Sequence, residues 1–219
     1  MIQLYLKFSR IIALAKLPTS RWTAPVSQSL TQTKTKILDT AQDLIQRRGM
    51  NAMSFQDIST QIGIRKPSIH HHFATKGALV TALLERYIQD FDETVARILI
   101  SRESGHAKLG RFCALFLQTL QAGRHDRGCL CGMLLIELAS LDSGSLTLVR
   151  RFLRGNAGRI AVMIQEGIQD GSIAVRGGVA ATSRVFLAAL EGGLMAARCD
   201  GGPKQFAEDI QQLLRLLKS

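Results

Sequence analysis

Along most of this chain apolar residues recur every third or fourth position, and they hardly ever alternate with polar ones. Such a recurrence lines up on one face of an α-helix, where side chains repeat about every 3.6 residues. The first stretch carries Ile37, Ala41, Leu44 and Ile45 opposite Lys, Asp and Gln, with Thr33 set to cap its start and Gly49 to end it. Ser54 opens a short second helix. Asp57 follows three residues later as a compact capping box, and Phe55, Ile58 and Ile62 face inward. Gly63 stops that helix almost at once. Lys66-Pro67-Ser68 starts a third, proline being tolerated in a first turn where its missing N–H has no partner to lose. Phe73 closes this unit, and from Thr75 one long helix follows with Leu79, Leu83, Tyr87, Phe91, Val95 and Ile98 in register. Further helices are expected over 107–121, 129–141, 145–170, 178–197 and 203–217, separated by glycine-rich breaks. No repeat period and no strand-rich segment interrupts the pattern. The fold class is therefore all-α: three short helices, then six longer ones.

Composition agrees: the 219 residues are 46% hydrophobic with only 4 prolines, enough apolar surface for a real core and little to break helices. Charge changes the picture more. Of the net +11, seven charges lie at or before Phe73, where ten basic side chains stand against three acidic ones. Such an excess points to a polyanionic partner, either nucleic acid or an anionic membrane surface. Residues 1–32 contain an apolar stretch interrupted by Lys7 and Arg10, too short and too charged to span a bilayer or act as an export core. A flexible basic arm or an over-long start is expected there, joined to the first helix by a linker around Pro18 and Pro25. Cys113, Cys129, Cys131 and Cys199 form no CxxC pair, which argues for reduced thiols and a cytoplasmic protein.

The segment from Ser54 to Lys76 has the mechanics of a helix-turn-helix. A short support helix must turn sharply, and Gly63 makes the turn without a Cβ clash. Ile58, Ile62, Ile64, Ile69 and Phe73 then hold the third helix in place, leaving Lys66, Ser68, His70, His71 and His72 free to enter a major groove. From about Thr33 to Leu84 the chain resembles the TetR family of bacterial regulators, through Gly63, the run Lys66-Pro67-Ser68-Ile69 with His72-Phe73, and Lys76 and Leu79 beyond it. The resemblance implies an N-terminal helix-turn-helix DNA-binding domain over 33–78 and a C-terminal helical effector-binding and dimerisation domain over 79–219. It implies a repressor released from double-stranded, palindromic operator DNA by a small-molecule or electrophile/oxidant signal. It also implies that Lys66, Pro67, Ser68, His70 and His71 meet bases or the adjacent backbone, and that Ser54, His72 and Lys76 hold phosphates. Arg65 stands where a small polar residue is common and is expected to add a contact. His70 stands where the family commonly has tyrosine, whose hydroxyl reaches further than an imidazole. The three histidines are expected to favour protonation in the field of DNA. They are not expected to share a metal, because consecutive helical residues point about 100° apart.

The family's effector pocket would draw on Phe112, Phe116, Met133, Met163 and Phe186, each equally readable as ordinary core. Gly128-Cys129-Leu130-Cys131 looks like the Gly-Cys-Leu segment of a subgroup that includes regulators responding to electrophiles or oxidants. A thiolate near Arg124, Arg127 and a helix N-terminus would have a lowered pKa, and Cys129 is the better placed of the two. Three readings stay open: buried structural thiols, a reactive sensor, or a metal site that also uses His125. The last two helices carry broad apolar surfaces, around Val185–Leu190 and around Phe206, Ile210 and Leu214, and are expected to pair with a second copy as a homodimer.

Other classes find less support. No P-loop, nucleotide-binding glycine motif, nucleophile elbow or HExxH is present, so neither a cofactor nor an enzyme is expected. Glu137 and Glu191, carboxyls on apolar helices, are expected to pair with a basic side chain or a ligand's polar group. A basic helical protein lying on a membrane surface, or a helical enzyme without a recognised motif, is the alternative.

Overall fold

A computed structural model describes residues 27–122 and 124–218. Among them are nine α-helices: α1 Ser27–Arg48, α2 Phe55–Ile62, α3 Lys66–His72, α4 Lys76–Leu99, α5 Gly105–Gln121, α6 Leu130–Leu135, α7 Ser143–Gln169, α8 Val179–Cys199 and α9 Gly202–Leu216. A single 3-10 turn, Leu138–Ser140, follows α6, and the one β feature among the described residues is an isolated bridge between Ile173 and Lys218. The all-α expectation holds, with two changes of boundary. The first helix begins at Ser27, six residues before the expected cap at Thr33, because nothing between Pro25 and Thr33 breaks a helix. The rest of the expected arm, with Pro18 and Pro25, lies outside the described residues. The helix expected over 129–141 is cut to the six residues of α6, for a reason that emerges at Glu137 below.

The first three helices are organised by their ends. Ser54 sits extended ahead of α2, and its Oγ accepts from the Asp57 N–H at 3.3 Å. In return the Asp57 carboxylate accepts from the Ser54 N–H at 2.8 Å, and it also pairs with Arg48 at 3.0 Å. Two backbone groups that a helix start leaves orphaned are thereby satisfied. Gly63 ends α2 in the left-handed region, φ 71° and ψ 30°, donating its N–H to Ser59 O at 3.0 Å. Ile58, Ile69 and Phe73 are buried beneath this turn with Ile37, Ala41 and Ile45 of α1 and Leu79 and Leu83 of α4. The inward set is the expected one, except that Leu44, Phe55, Ile62 and Ile64 stay half-exposed.

Residues Lys34–Ser219 form one compact unit, and α4 runs through it, crossing the boundary expected at residue 78. α4 and α5 pack on α7, α7 packs on α8, and α9 closes against α5 and α8. Aromatic rings fill the centre: Phe91 meets Phe152 at 5.1 Å and Phe112 at 5.9 Å, both edge-on, which is a favoured arrangement of their quadrupoles. α9 buries Phe206, Ile210 and Leu214 within the chain and turns Lys204, Glu208, Asp209 and Arg215 outward. Apolar side chains are left uncovered just after α6 and along α7 and α8, where Ile136 is 70%, Val162 47% and Val185 69% exposed. α8 is the one described helix long and apolar enough to cross a membrane by length and composition, and 28% of that window is buried.

Two outcomes follow from the helix ends. A Cβ on Gly63 would meet nothing within 4 Å, so Gly63→Ala isolates the backbone term. It should lower stability by about 1–2 kcal/mol, read as an earlier urea midpoint, and an unchanged midpoint would contradict the turn's role. The Asp57 carboxyl is held down to about 2, first by the Ser54 hydroxyl and N–H, then by Arg48. A depressed carboxyl stabilises the fold fully above the ordinary carboxylate range and loses that contribution as pH falls towards 2. Asp57→Asn should therefore flatten the acid limb of the stability profile between about pH 4 and 2, with a parallel limb as the contrary result.

Candidate nucleic-acid interface and sensing core

α3 begins without a side-chain cap. Arg65 precedes it in extended backbone, Pro67 occupies the first turn, and Ile69 is the one fully buried residue of the helix. Everything else turns outward: Arg65, Lys66, Pro67, His70 and His71 are exposed, and Ser68 and His72 are half-buried. Ser54 is exposed at the start of α2, and Lys76, half-buried, opens α4. The fold thus brings all nine of the expected contact residues onto the α2–α3 end of the chain. Arg65, Lys66 and Lys76 form no ion pair among the described residues, so their charge is unspent.

The histidines differ from one another. His70 lies edge-on to Phe55, ring centroids 4.9 Å apart, with its Nδ1 3.3 Å from Ala74 O. If Nδ1 carries the proton for that bond, neutral His70 shows its Nε2 lone pair to solvent, and only protonation turns that atom into a donor for phosphate. His72 has its pKa lowered by burial first, then by His71 and Lys34, so in the free chain it favours the neutral form.

The end of α1 nearest α2 is tied to the rest of the chain by several polar bonds. Gln46 and Gly128 exchange two: the Gly128 N–H donates to Gln46 O at 2.9 Å, and Gln46 Nε2 donates to Gly128 O at 3.0 Å. Arg47 pairs with Asp126 at 2.7 Å, and Arg127 pairs with Asp43. Arg198, on α8, donates from Nη2 to Arg47 O at 2.7 Å and from Nε to Asp126 O at 2.9 Å. Glu137 accepts from the N–H groups of Met50 at 2.6 Å and Asn51 at 3.1 Å. That duty explains why α6 stops: Glu137 must leave the helix to reach the α1–α2 turn. It is neither a pocket acid nor the partner of a basic side chain.

Between Gly128 and Glu137 lie the two cysteines. Cys129 is the residue before α6, not on it, and both thiols are buried. The Tyr87 hydroxyl is 3.7 Å from Cys129 Sγ. The Glu191 carboxyl lies on the other side, against Gly132, where a Cβ would come within 2.6 Å of Oε2. Burial raises the Cys129 pKa far above the usual thiol value, and the Glu191 and Cys131 charges push it the same way. The expected lowering is overturned, because Arg127 is spent on Asp43 and Arg124 is exposed. Burial also lifts Glu191 to about 7, with the Cys129 thiol pulling the other way, and no N–H or O–H donor reaches either of its oxygens. His125 is exposed while Cys129 and Cys131 are buried, so the three do not converge on a metal.

The other expected pocket residues, Phe112, Phe116, Met133, Met163 and Phe186, are buried core and line neither of the two main cavities. One cavity, of about 710 Å³, is an apolar groove between α6, α7 and α8, walled by Leu135, Leu153, Ala161, Leu187 and Met195 with Glu191 among them. The other, of about 340 Å³, is more polar and lies between α1, α4 and α5, reached by Gln42, Gln46, Tyr87, Asp90 and Arg127. Tyr87 and Glu191, one on each cavity, flank Cys129. Sequence spacing gave no sign of this cluster, since its members are about 40 to 60 residues apart.

Comparison with known proteins agrees with this geometry. Residues 37–83 match the bacterial regulatory proteins of the tetR family, and residues 105–213 match the tetracyclin repressor-like C-terminal domain. The repressor NemR of Escherichia coli K12 is 25% identical over 142 residues, 64% of this chain and 68% of that protein. The repressor KstR2 of Rhodococcus jostii is 36% identical over 73 residues, 32% of this chain and 36% of that protein. A TetR-family regulator from Agrobacterium tumefaciens superposes with a TM-score of 0.82 at 26% identity, covering 87% of this chain and 100% of that one. The reduced form of E. coli NemR superposes with a TM-score of 0.71 at 20% identity, covering 84% and 94%. Two matched domains in order, over a capped helix-turn-helix and an all-helical body, make this chain a member of the TetR family of bacterial transcriptional regulators.

Proposed function

We propose that the chain is a cytoplasmic, dimeric repressor that holds a palindromic operator through α3 and lets go when a small molecule reaches the Tyr87–Cys129–Glu191 cluster. Members of this family bind operator DNA and small-molecule effectors and are dimers. The observation that carries the reading is the unspent basic face of α3, set after a capped α2 and the left-handed turn at Gly63. Lys66, Pro67, Ser68, His70 and His71 face the bases and adjacent backbone, with Arg65 beside them. Ser54, His72 and Lys76 flank them and take phosphates. Position comes from the phosphate contacts and sequence preference from the base contacts.

The second copy docks on the α7–α8 face. Of the two terminal helices expected to pair, α8 keeps its apolar surface open while α9 has spent its own inside the chain. Charged groups on that face, Arg154, Arg184 and Glu191, suit a protein partner better than lipid.

The signal reaches the DNA-reading end through the Gly128–Glu137 segment. Its two ends bond α1 and the α1–α2 turn, and Cys129 stands next to the Gly128 attachment, so a ligand or adduct that displaces Cys129 pulls on Gly128 first and, through the short helix, on Glu137. Because Cys129 is buried, it answers an apolar electrophile only after the core opens to admit it.

Selection of bound sequences from random duplex DNA should return a palindrome with half-sites about one helical turn apart; recovery of no site would refute operator binding. Lys76→Ala should weaken binding to every sequence alike and lower the salt slope by about 1, whereas loss confined to one sequence would reassign Lys76 to the bases. Cys129→Ser should abolish release by a soft apolar electrophile while leaving operator affinity intact. Normal release by that variant would end the thiol reading.

A further inference from the structure

The α7–α8 face carries groups that no opposite charge in their own chain meets. In its own chain the buried Glu191 carboxyl meets the Cys129 thiol and no cation, and no N–H or O–H donor reaches either oxygen. Burying an ionised carboxylate without a partner is costly, so such a group either stays neutral or is given a cation. Burial does shift it towards neutrality in the single chain. Arg184, two turns earlier on α8, is exposed and makes neither an ion pair nor a hydrogen bond among the described residues. Gly158 on α7 and Gly192 on α8 line the same groove, and a Cβ on either would meet nothing within 4 Å. Packing within the chain therefore does not require either glycine, and both leave room for something that comes from outside.

The exposed residues of α8 have a symmetry that a two-fold axis would use. Ala181, Arg184, Val185, Ala188, Gly192 and Ala196 share one face at helical spacing and are all exposed. If two copies of α8 run antiparallel and cross at Ala188, Arg184 of each falls opposite Gly192 of the other, and Val185 falls opposite Glu191. The large side chain then meets the gap left by the glycine, and the cation comes beside the unpaired carboxyl. Small residues at the crossing point let the two backbones approach.

We propose that two copies of α8 cross antiparallel at Ala188, and that Arg184 of the partner subunit enters the groove over Gly192 to pair with Glu191. In an isologous interface the pair forms twice. The second copy thus completes the cluster around Cys129: a carboxyl that meets no cation in one chain becomes a paired carboxylate beside the thiol, and assembly and sensing share a side chain. The proposal rests on the dimer through α7 and α8 proposed above.

Sedimentation equilibrium of the full chain tests it. Arg184 is exposed in the single chain, so Arg184→Ala leaves the fold intact, and it should raise the dimer dissociation constant on the order of 100-fold. Glu191→Gln should weaken the dimer as well, and the double variant should be no weaker than the worse single one, because both remove the same pair. Arg154→Ala, removing the other arginine on the rim, should have little effect. Ala188→Cys in a Cys199→Ser background should form a covalent dimer on mild oxidation, since residue 188 meets itself on the axis. A wild-type chain that sediments as a monomer at every concentration would overturn the dimer itself. A dimer that Arg184→Ala leaves unmoved, that loses affinity additively in the double variant, or that does not cross-link through position 188 would overturn the pair and leave the dimer standing.

Discussion

The end of α1 is held in place by satisfying its own loose backbone groups. The N–H groups of Met50 and Asn51 and the carbonyls of Gln46 and Arg47 lie where a helix runs out of internal partners, and each is met from elsewhere in the chain: by Glu137, by Gly128 and by Arg198. These bonds, part-buried at Met50 and Arg47 and exposed at Asn51, join the end of α1 to two other parts of the chain and so fix where α1 points. α2 and α3 are tied to α1 in turn, by the Arg48–Asp57 pair and by Lys34 over the Phe73 ring, so their orientation depends on it. A DNA-reading helix is useful only if its angle to the duplex is set, and here the angle is set by side chains of α8 and of the segment after α6.

That arrangement makes one short stretch serve two ends. Gly128 and Glu137 are nine positions apart, and α6 between them is barely more than a turn and a half, with Leu130, Cys131, Met133 and Leu134 anchored in the core. A rigid segment attached at both ends transmits displacement instead of absorbing it. The polar neighbours of Cys129 come from α4 and α8, so this short segment lies between helices that also carry the rest of the body.

Much of this was legible in the amino-acid order. Helix period, the Ser54–Asp57 cap, the left-handed Gly63, the inward isoleucines and the outward face of α3 are all local, and local chemistry decided them. What failed did so where distant residues intervened. Apolar spacing predicted an unbroken helix past Ile136, but a carboxylate at Glu137 was drawn off by an N–H pair nearly ninety positions away. Arg124 and Arg127 flank Cys129 in sequence, yet one is exposed and the other is taken by Asp43, so nearness along the chain misjudged the thiol. The apolar stripe of α9 read as an interface and proved to be core, because periodicity shows that a face is buried without showing against what.

In the release mechanism proposed above, burial of Cys129 also decides which molecules the repressor can discriminate. A thiolate on the surface reports how reactive a solute is, and it competes with every other thiol in the cell for the same reagent. A thiol kept protonated behind Tyr87 and Glu191 reports first whether the solute fits. Charged, bulky or strongly hydrated compounds are screened out before bond-making matters, so the filter is one of shape and polarity, and background oxidation that would trip an open sensor passes it by.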